Sequence, residues 1–425
     1  MTLSHNPFRS MHWFTAVFLA ALALTTVGRL WLSRRNIRHV LENRNAVPAE
    51  FEGRIALAAH QKAADYTIAK ARFGQMETLA AAAALLAFTL GGGLQFISEA
   101  WERMFEADGY AHGIALIASV ALISGLVDLP FALYRTFVIE ARFGFNRTSL
   151  SLFVTDLAKL AVLSALVGIP LVFLVLWLMA KMGETWWLYV WLTWAAFNLL
   201  IAMIYPTLIA PLFNKFSPLE DAALRSRIES LLAKCGFRSR GLFVMDGSKR
   251  SSHGNAYFTG FGAAKRIVLF DTLISRLAPT EIEAVLAHEL GHFSLRHVWK
   301  RMGLLFAASL AFLWVLGLLI GRQWFFTALG VHAQGTAMAL VLFFMVAPVF
   351  TFLLHPLASL YSRLHEFEAD AYAARVADAR DLARALVKLY QDNATTLTPD
   401  PVHSAFYDSH PPAVLRIARL QTQQA

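Results

Sequence analysis

The residues best able to do chemistry lie close together near position 290. His288-Glu289-Leu290-Gly291-His292 sets two imidazoles four residues apart. On a helix such residues share a face, so both rings can reach one ion. Neutral histidine nitrogens suit zinc, and Glu289 between them can act as general base on a zinc-activated water. A catalytic zinc site takes three protein ligands and keeps a fourth position for water, so the third ligand should come from a separate segment. Residues 363–372 offer one, because Glu366 and Asp370 are also four apart there. Glu366 could bind zinc while Asp370 orients a ligating histidine from behind. Glu368 points elsewhere on that helix and is the weaker candidate. On spacing alone, a solvated face with i,i+4 pairing explains these carboxylates equally well.

Hydrolysis by an activated water creates an oxyanion, which needs a donor besides the metal. His410, in Asp408-Ser409-His410-Pro411-Pro412, is a candidate, although a histidine before two prolines also fits a simple turn. Arg416 follows in a helical segment, either as a salt-bridge partner or as a second donor. Asn255 and Tyr257 lie in an apolar run whose edge could hold a substrate backbone by strand addition. His253, His297, His365 and His403 are read as taking no part in the chemistry.

Positioning these groups requires a small folded unit. Gly241-Leu242-Phe243-Val244-Met245 and Arg266-Ile267-Val268-Leu269-Phe270 are short apolar runs bounded by turn residues. With the run at 255–260 they predict a small sheet. A helix follows, with Thr280 expected as N-cap, Glu283 at N3 and Pro279 just outside. Ile282, Val285, Leu286 and Leu290 then recur at helical spacing.

Most of the 425 residues serve another purpose. Hydrophobic residues make up 57% and charged residues 16%, which excludes a disordered chain and argues against a simple soluble globule. Seven apolar stretches are long enough to span a bilayer, at about 13–32, 78–97, 111–134, 157–179, 186–210, 303–321 and 336–360. The first, ending in Gly28-Arg29-Leu30-Trp31 without a small-residue cleavage pattern, is read as an uncleaved span. Asp128 and Lys159 fall within spans, where charges face a bundle interior or a wet cavity, or snorkel. The net charge of +9 reads as cytoplasmic-loop bias, with no nucleic-acid partner. About eight Lys/Arg follow the first span, whereas Glu99, Glu102, Glu106 and Asp108 face only Arg103 in the next connection. This bias puts the N-terminus outside and the C-terminus inside, with 211–300 and 361–425 sharing the cytoplasmic side. The lone cysteine, Cys235, excludes an intrachain disulfide and a Cys-based zinc cluster. The expected organisation is five membrane helices in 1–210, a metalloprotease unit in 211–302, two further spans in 303–360 and its C-terminal part in 361–425.

Together these features resemble the type I CAAX prenyl proteases, integral-membrane zinc metalloproteases that mature fungal a-factor and animal prelamin A. The resemblance runs along most of the chain. It includes Phe137-Val138-Ile139-Glu140-Ala141-Arg142-Phe143-Gly144-Phe145-Asn146 and Ile209-Ala210-Pro211-Leu212-Phe213-Asn214-Lys215-Phe216. It continues through Asp246-Gly247-Ser248-Lys249-Arg250-Ser251-Ser252-His253, the two metal motifs and Ser409-His410-Pro411-Pro412. It implies an all-α polytopic membrane fold, with seven helices forming an α-barrel around a large water-filled chamber. A cytoplasmic zincin-like α+β metalloprotease domain would cap that chamber. It also implies one zinc ion held by His288, His292 and Glu366, Glu289 as base, and Asn255 and His410 in contact with the peptide. The expected partners are a peptide or membrane-protein substrate and the lipid bilayer, with a monomer as the working state. The short connection at 321–336 and the ending Gln421-Thr422-Gln423-Gln424-Ala425, which is not a basic retrieval signal, suggest a bacterial member in an inner membrane. Two other readings remain at this point: an HtpX-type quality-control protease, and a transporter or channel carrying the metal motif by accident.

Overall fold

The computed structural model describes residues 12–237, 239, 241–259 and 266–422. Helices α1 (Trp13–Glu42), α2 (Leu57–Phe88), α3 (Gly93–Glu102), α4 (Tyr110–Tyr134), α5 (Leu150–Lys181) and α6 (Trp186–Ile204) form the N-terminal half. Six apolar helical stretches reach spanning length by themselves, and α2 with α3 makes a seventh as a pair bent by 48°. The bend has a local cause. Gly92 takes φ +78°, and a Cβ on Gly91 or Gly93 would lie 2.8 Å from the Ala87 carbonyl oxygen. The second span differs from expectation, since α2 begins at Leu57 and the helix extends well beyond the apolar stretch at 78–97. Lys159 Nζ donates to the Leu212 carbonyl at 2.8 Å, near the end of the fifth span. Large apolar side chains such as Leu122, Leu166 and Leu208 stay exposed on these helices, the kind of surface lipid covers.

Two π-helical turns end spans on the side of the sheet. Arg135–Glu140 extends α4, and Tyr205–Ile209 extends α6 into the short α7 (Ala210–Phe213). The chain then forms β1 (Phe216–Pro218), α8 (Ala222–Lys234), β2 (Leu242–Met245), β3 (Ala256–Thr259), β4 (Arg266–Phe270) and α9 (Asp271–Ile274). The sheet order is β1-β2-β4-β3. β2 runs parallel to β4, while β1 and β3 are antiparallel edge strands. β1 is an addition to the predicted sheet, and Gly260, at the end of the expected run, lies outside the described residues.

The metal-motif helix α10 spans Pro279–Ser294. Its cap differs from the predicted one. Ala278 is the N-cap and Pro279 the first helical residue, where a missing N–H costs nothing. Glu281, not Glu283, reaches back to the Ala278 N–H at 2.7 Å and also accepts from Lys388 Nζ at 2.7 Å. Thr280 instead donates to Asp381 at 3.0 Å. Ile282, Leu286 and Leu290 of α10 are fully buried, in one core with Ile228, Ile267 and Leu269. There follow α11 (His297–Leu319), α12 (Gln323–Thr327), α13 (Thr336–Thr351), α14 (His355–Val376), α15 (Ala379–Asp392), α16 (Pro401–Tyr407) and α17 (Ala413–Thr422). The short connection between the last two spans is packed, with Phe325, Phe326, Leu329 and Val331 almost wholly buried.

Candidate metal centre

α10 and α14 bring the two metal-type segments together. Their approach depends on the glycine inside the histidine motif. A Cβ on Gly291 would lie 3.0 Å from Ala369 Cα and 3.1 Å from Tyr372 Cβ, so only glycine admits α14 this closely. Gly291 stands between the two imidazoles in the sequence, but the approach of α14 that gives it a role is not encoded there.

At this crossing His288, His292 and Glu366 meet. His288 Nε2 is 3.3 Å from His292 Nε2. Glu366 Oε2 is 3.4 Å from His288 Nε2, and Oε1 is 3.3 Å from His292 Nε2. A tetrahedron with zinc bonds of about 2.0–2.1 Å has edges of roughly 3.3–3.4 Å. Glu366 Oε2 is also buried without a hydrogen-bond partner, although Glu366 itself is only 3% exposed. A buried acceptor left without a donor is costly unless a cation completes it. Two imidazoles and one carboxylate at these separations fit a single zinc ion.

The charges behind the ligands are neutralised in pairs. His288 Nδ1 is 2.8 Å from Asp370 Oδ1, the arrangement that leaves Nε2 free for a metal. Burial alone would depress the His288 imidazole, but the adjacent Asp370 and Glu366 carboxylates raise it to about 9; zinc must displace that proton. Arg416, 5% exposed, clamps Asp370 with Nε and Nη2 at 2.8 and 2.6 Å. It is a buried salt-bridge partner whose Nη1 comes within 3.8 Å of Glu366, and it also lines the cleft beside Glu289.

Glu289 makes no hydrogen bond among the described residues and faces a cleft of about 150 Å³. Burial raises its carboxyl above the usual range, opposed by His288 and His292 nearby, which makes it a better proton acceptor when ionised. Asn255 and His410 line the same cleft. His410 Nε2 is 3.4 Å from Glu366 Oε2, and Ser409 Oγ is 3.1 Å from its Nδ1. Desolvation holds His410 below its ordinary range, which favours the neutral ring. Tyr257 is on the edge strand β3 but outside the cleft; its ring meets Phe270 edge-on at 6.2 Å, and burial pushes its hydroxyl up to about 12.

The segment 137–146 acquires a structural role here. Asn146 bridges Ser251, and the Arg147 N–H donates to the Arg250 carbonyl at 3.0 Å. Arg250 in turn holds Asp156 at 2.8 Å, and the His253 ring stacks on Phe145 at 4.4 Å. These contacts anchor the loop leading to Asn255 onto the membrane helices.

Comparisons with known proteins agree with this geometry. Residues 36–215 match the model of the CAAX prenyl protease N-terminal region with five membrane helices, and residues 218–424 match peptidase family M48. The chain is 42% identical over 309 residues to an Arabidopsis thaliana CAAX prenyl protease 1 homolog, covering 72% of each chain. It is 31% identical over 459 residues to the Homo sapiens homolog, covering 96% of each. The crystal structure of S. mikatae Ste24p superposes with a TM-score of 0.89 at 30% identity, covering 97% of this chain and all of that one. The match to the N-terminal membrane helices sets aside the shorter HtpX-type reading, and the peptidase match sets aside a transporter. The chain belongs to the CAAX prenyl protease 1 family of M48 peptidases and is a multi-pass, zinc-dependent membrane metalloendopeptidase.

Proposed function

We propose that this protein cleaves peptide bonds of hydrophobic, membrane-associated peptides of the CAAX type in the cleft beside Glu289. His288, His292 and Glu366 are the zinc ligands. The observation that carries the assignment is the two Nε2 atoms 3.3 Å apart, each 3.3–3.4 Å from an oxygen of the Glu366 carboxylate, whose Oε2 has no hydrogen-bond partner among the described residues. Zinc, when bound, supplies Lewis acidity toward water and the scissile carbonyl. Glu289 takes the proton from the attacking water and passes it to the leaving amine nitrogen. His410 donates from Nε2 to the oxyanion, with the Ser409 hydroxyl donating to Nδ1 and so fixing that tautomer. Asn255, at the mouth of the edge strand, aligns the substrate backbone, with β3 offering its free edge. Tyr257 contributes through its main chain in that strand, and Asp370 and Arg416 act behind His288.

The CAAX substrate class is supported by the names of the relatives. The loop charges support a cytoplasmic catalytic side and an external N-terminus, and the short 321–336 connection supports a bacterial inner membrane. We further place a wet chamber among the spans. Arg29 and Asp128 line one cavity of about 320 Å³, and charges at such depth call for water.

The test compares the peptides of membranes carrying the wild-type protein with those carrying Glu289→Gln. Peptides or precursors that accumulate only in the variant identify the substrates. If none with a hydrophobic or lipidated C-terminus accumulates, the CAAX substrate class is wrong.

A further inference from the structure

We propose that His297 and Glu368 are positioning residues for the metal. They form a hydrogen-bonded relay, His292–His297–Glu368, that holds the His292 ring with Nε2 toward the ion. The inference rests on the reading of His292 as a ligand.

The chain turns sharply after α10. Arg296 adopts φ +58°, a left-handed conformation rare for a residue with a Cβ, and α11 starts at the next residue. That turn folds His297 beneath His292. His297 is 1% exposed, its Nδ1 lies 3.0 Å from His292 Nδ1, and its Nε2 lies 2.7 Å from Glu368 Oε2. The His365 ring stacks flat on His297, with centroids 4.0 Å apart and planes 8° from parallel. Arg301 Nε donates to His365 Nδ1 at 3.4 Å on the far side.

Proton bookkeeping separates two uses of this cluster. The ligand atoms of His297, His365 and Glu368 are close enough together to suggest a second ion. With His292 Nε2 on zinc, however, His292 Nδ1 must carry the proton and donate it. His297 Nδ1 must then accept, so the His297 proton sits on Nε2 and is donated to Glu368. Each nitrogen is used once, and His297 has no lone pair left for another metal. The result parallels the other ligand. His288 is backed directly by the Asp370 carboxylate, whereas His292 is backed by Glu368 through an intervening imidazole. A backing partner fixes the tautomer and ring orientation of a ligating histidine.

The test measures zinc affinity of the full-length protein in detergent, by competition with a chromogenic chelator, and thermal unfolding of the zinc-free protein. His292→Ala is the control and should lose stoichiometric zinc; if it binds as tightly as wild type, the ligand reading itself fails. His297→Leu should weaken zinc about 10–100-fold, and His297→Asn, whose Oδ1 can sit where Nδ1 sat, should stay within about threefold of wild type. Glu368→Ala, at a side chain 51% exposed, should weaken zinc severalfold without lowering the unfolding temperature. Wild-type affinity in His297→Leu or Glu368→Ala, with His292→Ala zinc-free, overturns the relay and leaves the ligand reading standing. Equal losses in the Leu and Asn variants also overturn it, because packing alone would then explain His297. If His297→Leu does not fold, the Asn and Glu368→Ala variants still decide.

Discussion

Arg416 and Arg29 are both arginines among helices, and the protein treats them in opposite ways. Arg416 is 5% exposed and gives two hydrogen bonds to Asp370, which is 2% exposed and also holds His288. Arg29 lines the cavity between α1, α2, α4 and α13 that Asp128 also lines, yet the two make no ion pair among the described residues. Its buried Nε has no hydrogen-bond partner, and its guanidinium sits 5.4 Å from the Phe352 ring centre. A charge taken out of water needs a close, well-oriented partner, whereas one that water can reach does not. The metal ligands are thus held by buried, paired charges, whereas the membrane cavity leaves its charges apart. The first arrangement orients ligands; the second fixes neither charge by an ion pair.

The largest expected effect falls at the metal site. Glu289→Gln should lower kcat by about 10²–10⁴-fold while retaining zinc, since Glu289 holds no structural hydrogen bond. Zinc content and turnover of a fluorogenic peptide check both halves, and a variant that lost zinc would show Glu289 to be structural. Next come the paired charges. Asp370→Ala strands Arg416 in the interior and should destabilise the protein by about 3–5 kcal/mol, read from chemical unfolding. Replacing both partners by apolar residues should cost less than that single change. Additive losses would mean that the pair is not the coupled unit its geometry describes.

How much of this could be read beforehand follows from the range of each interaction. The His-Glu-x-x-His spacing is local to one helix, so both histidines and Glu289 stood out. Glu366 and Asp370 could be placed on a helix face, but nothing local said that this face meets α10. Gly291 decides that meeting through a backbone 78 residues away, at Ala369, which no periodicity encodes. The helix cap was misplaced for the same reason. Thr280 looks like a local cap but bonds Asp381 across the fold, and Pro279 takes the first helical position. β1, three residues long, carries too little pattern to be seen. The polar first half of α2 hid a helix, because hydropathy reports what crosses lipid, not what continues beyond it. His297 was read as idle because its partners, His292 and Glu368, meet it only once Arg296 has turned the chain.

A smaller change tests the packing of α14 on α10 that sets the ligand geometry. Gly291→Ala forces α14 away from α10 and should cost about 1–3 kcal/mol of stability. It should also weaken zinc, because Glu366 rides on α14 while both histidines ride on α10. Zinc titration beside chemical unfolding separates the two losses, and a stability loss with unchanged zinc affinity would show that Glu366 follows the motion. The smallest effect is expected in the membrane cavity. Asp128 is exposed and unpaired among the described residues, so Asp128→Asn removes a charge that holds no partner and should shift stability by no more than about 0.5 kcal/mol. Zinc affinity should not change, since Asp128 and the metal ligands share no partner. A loss approaching that of Asp370→Ala would mean that Asp128 and Arg29 pair after all. The cavity would then be a second site fixed by paired charges, and the contrast between the two arginines would collapse.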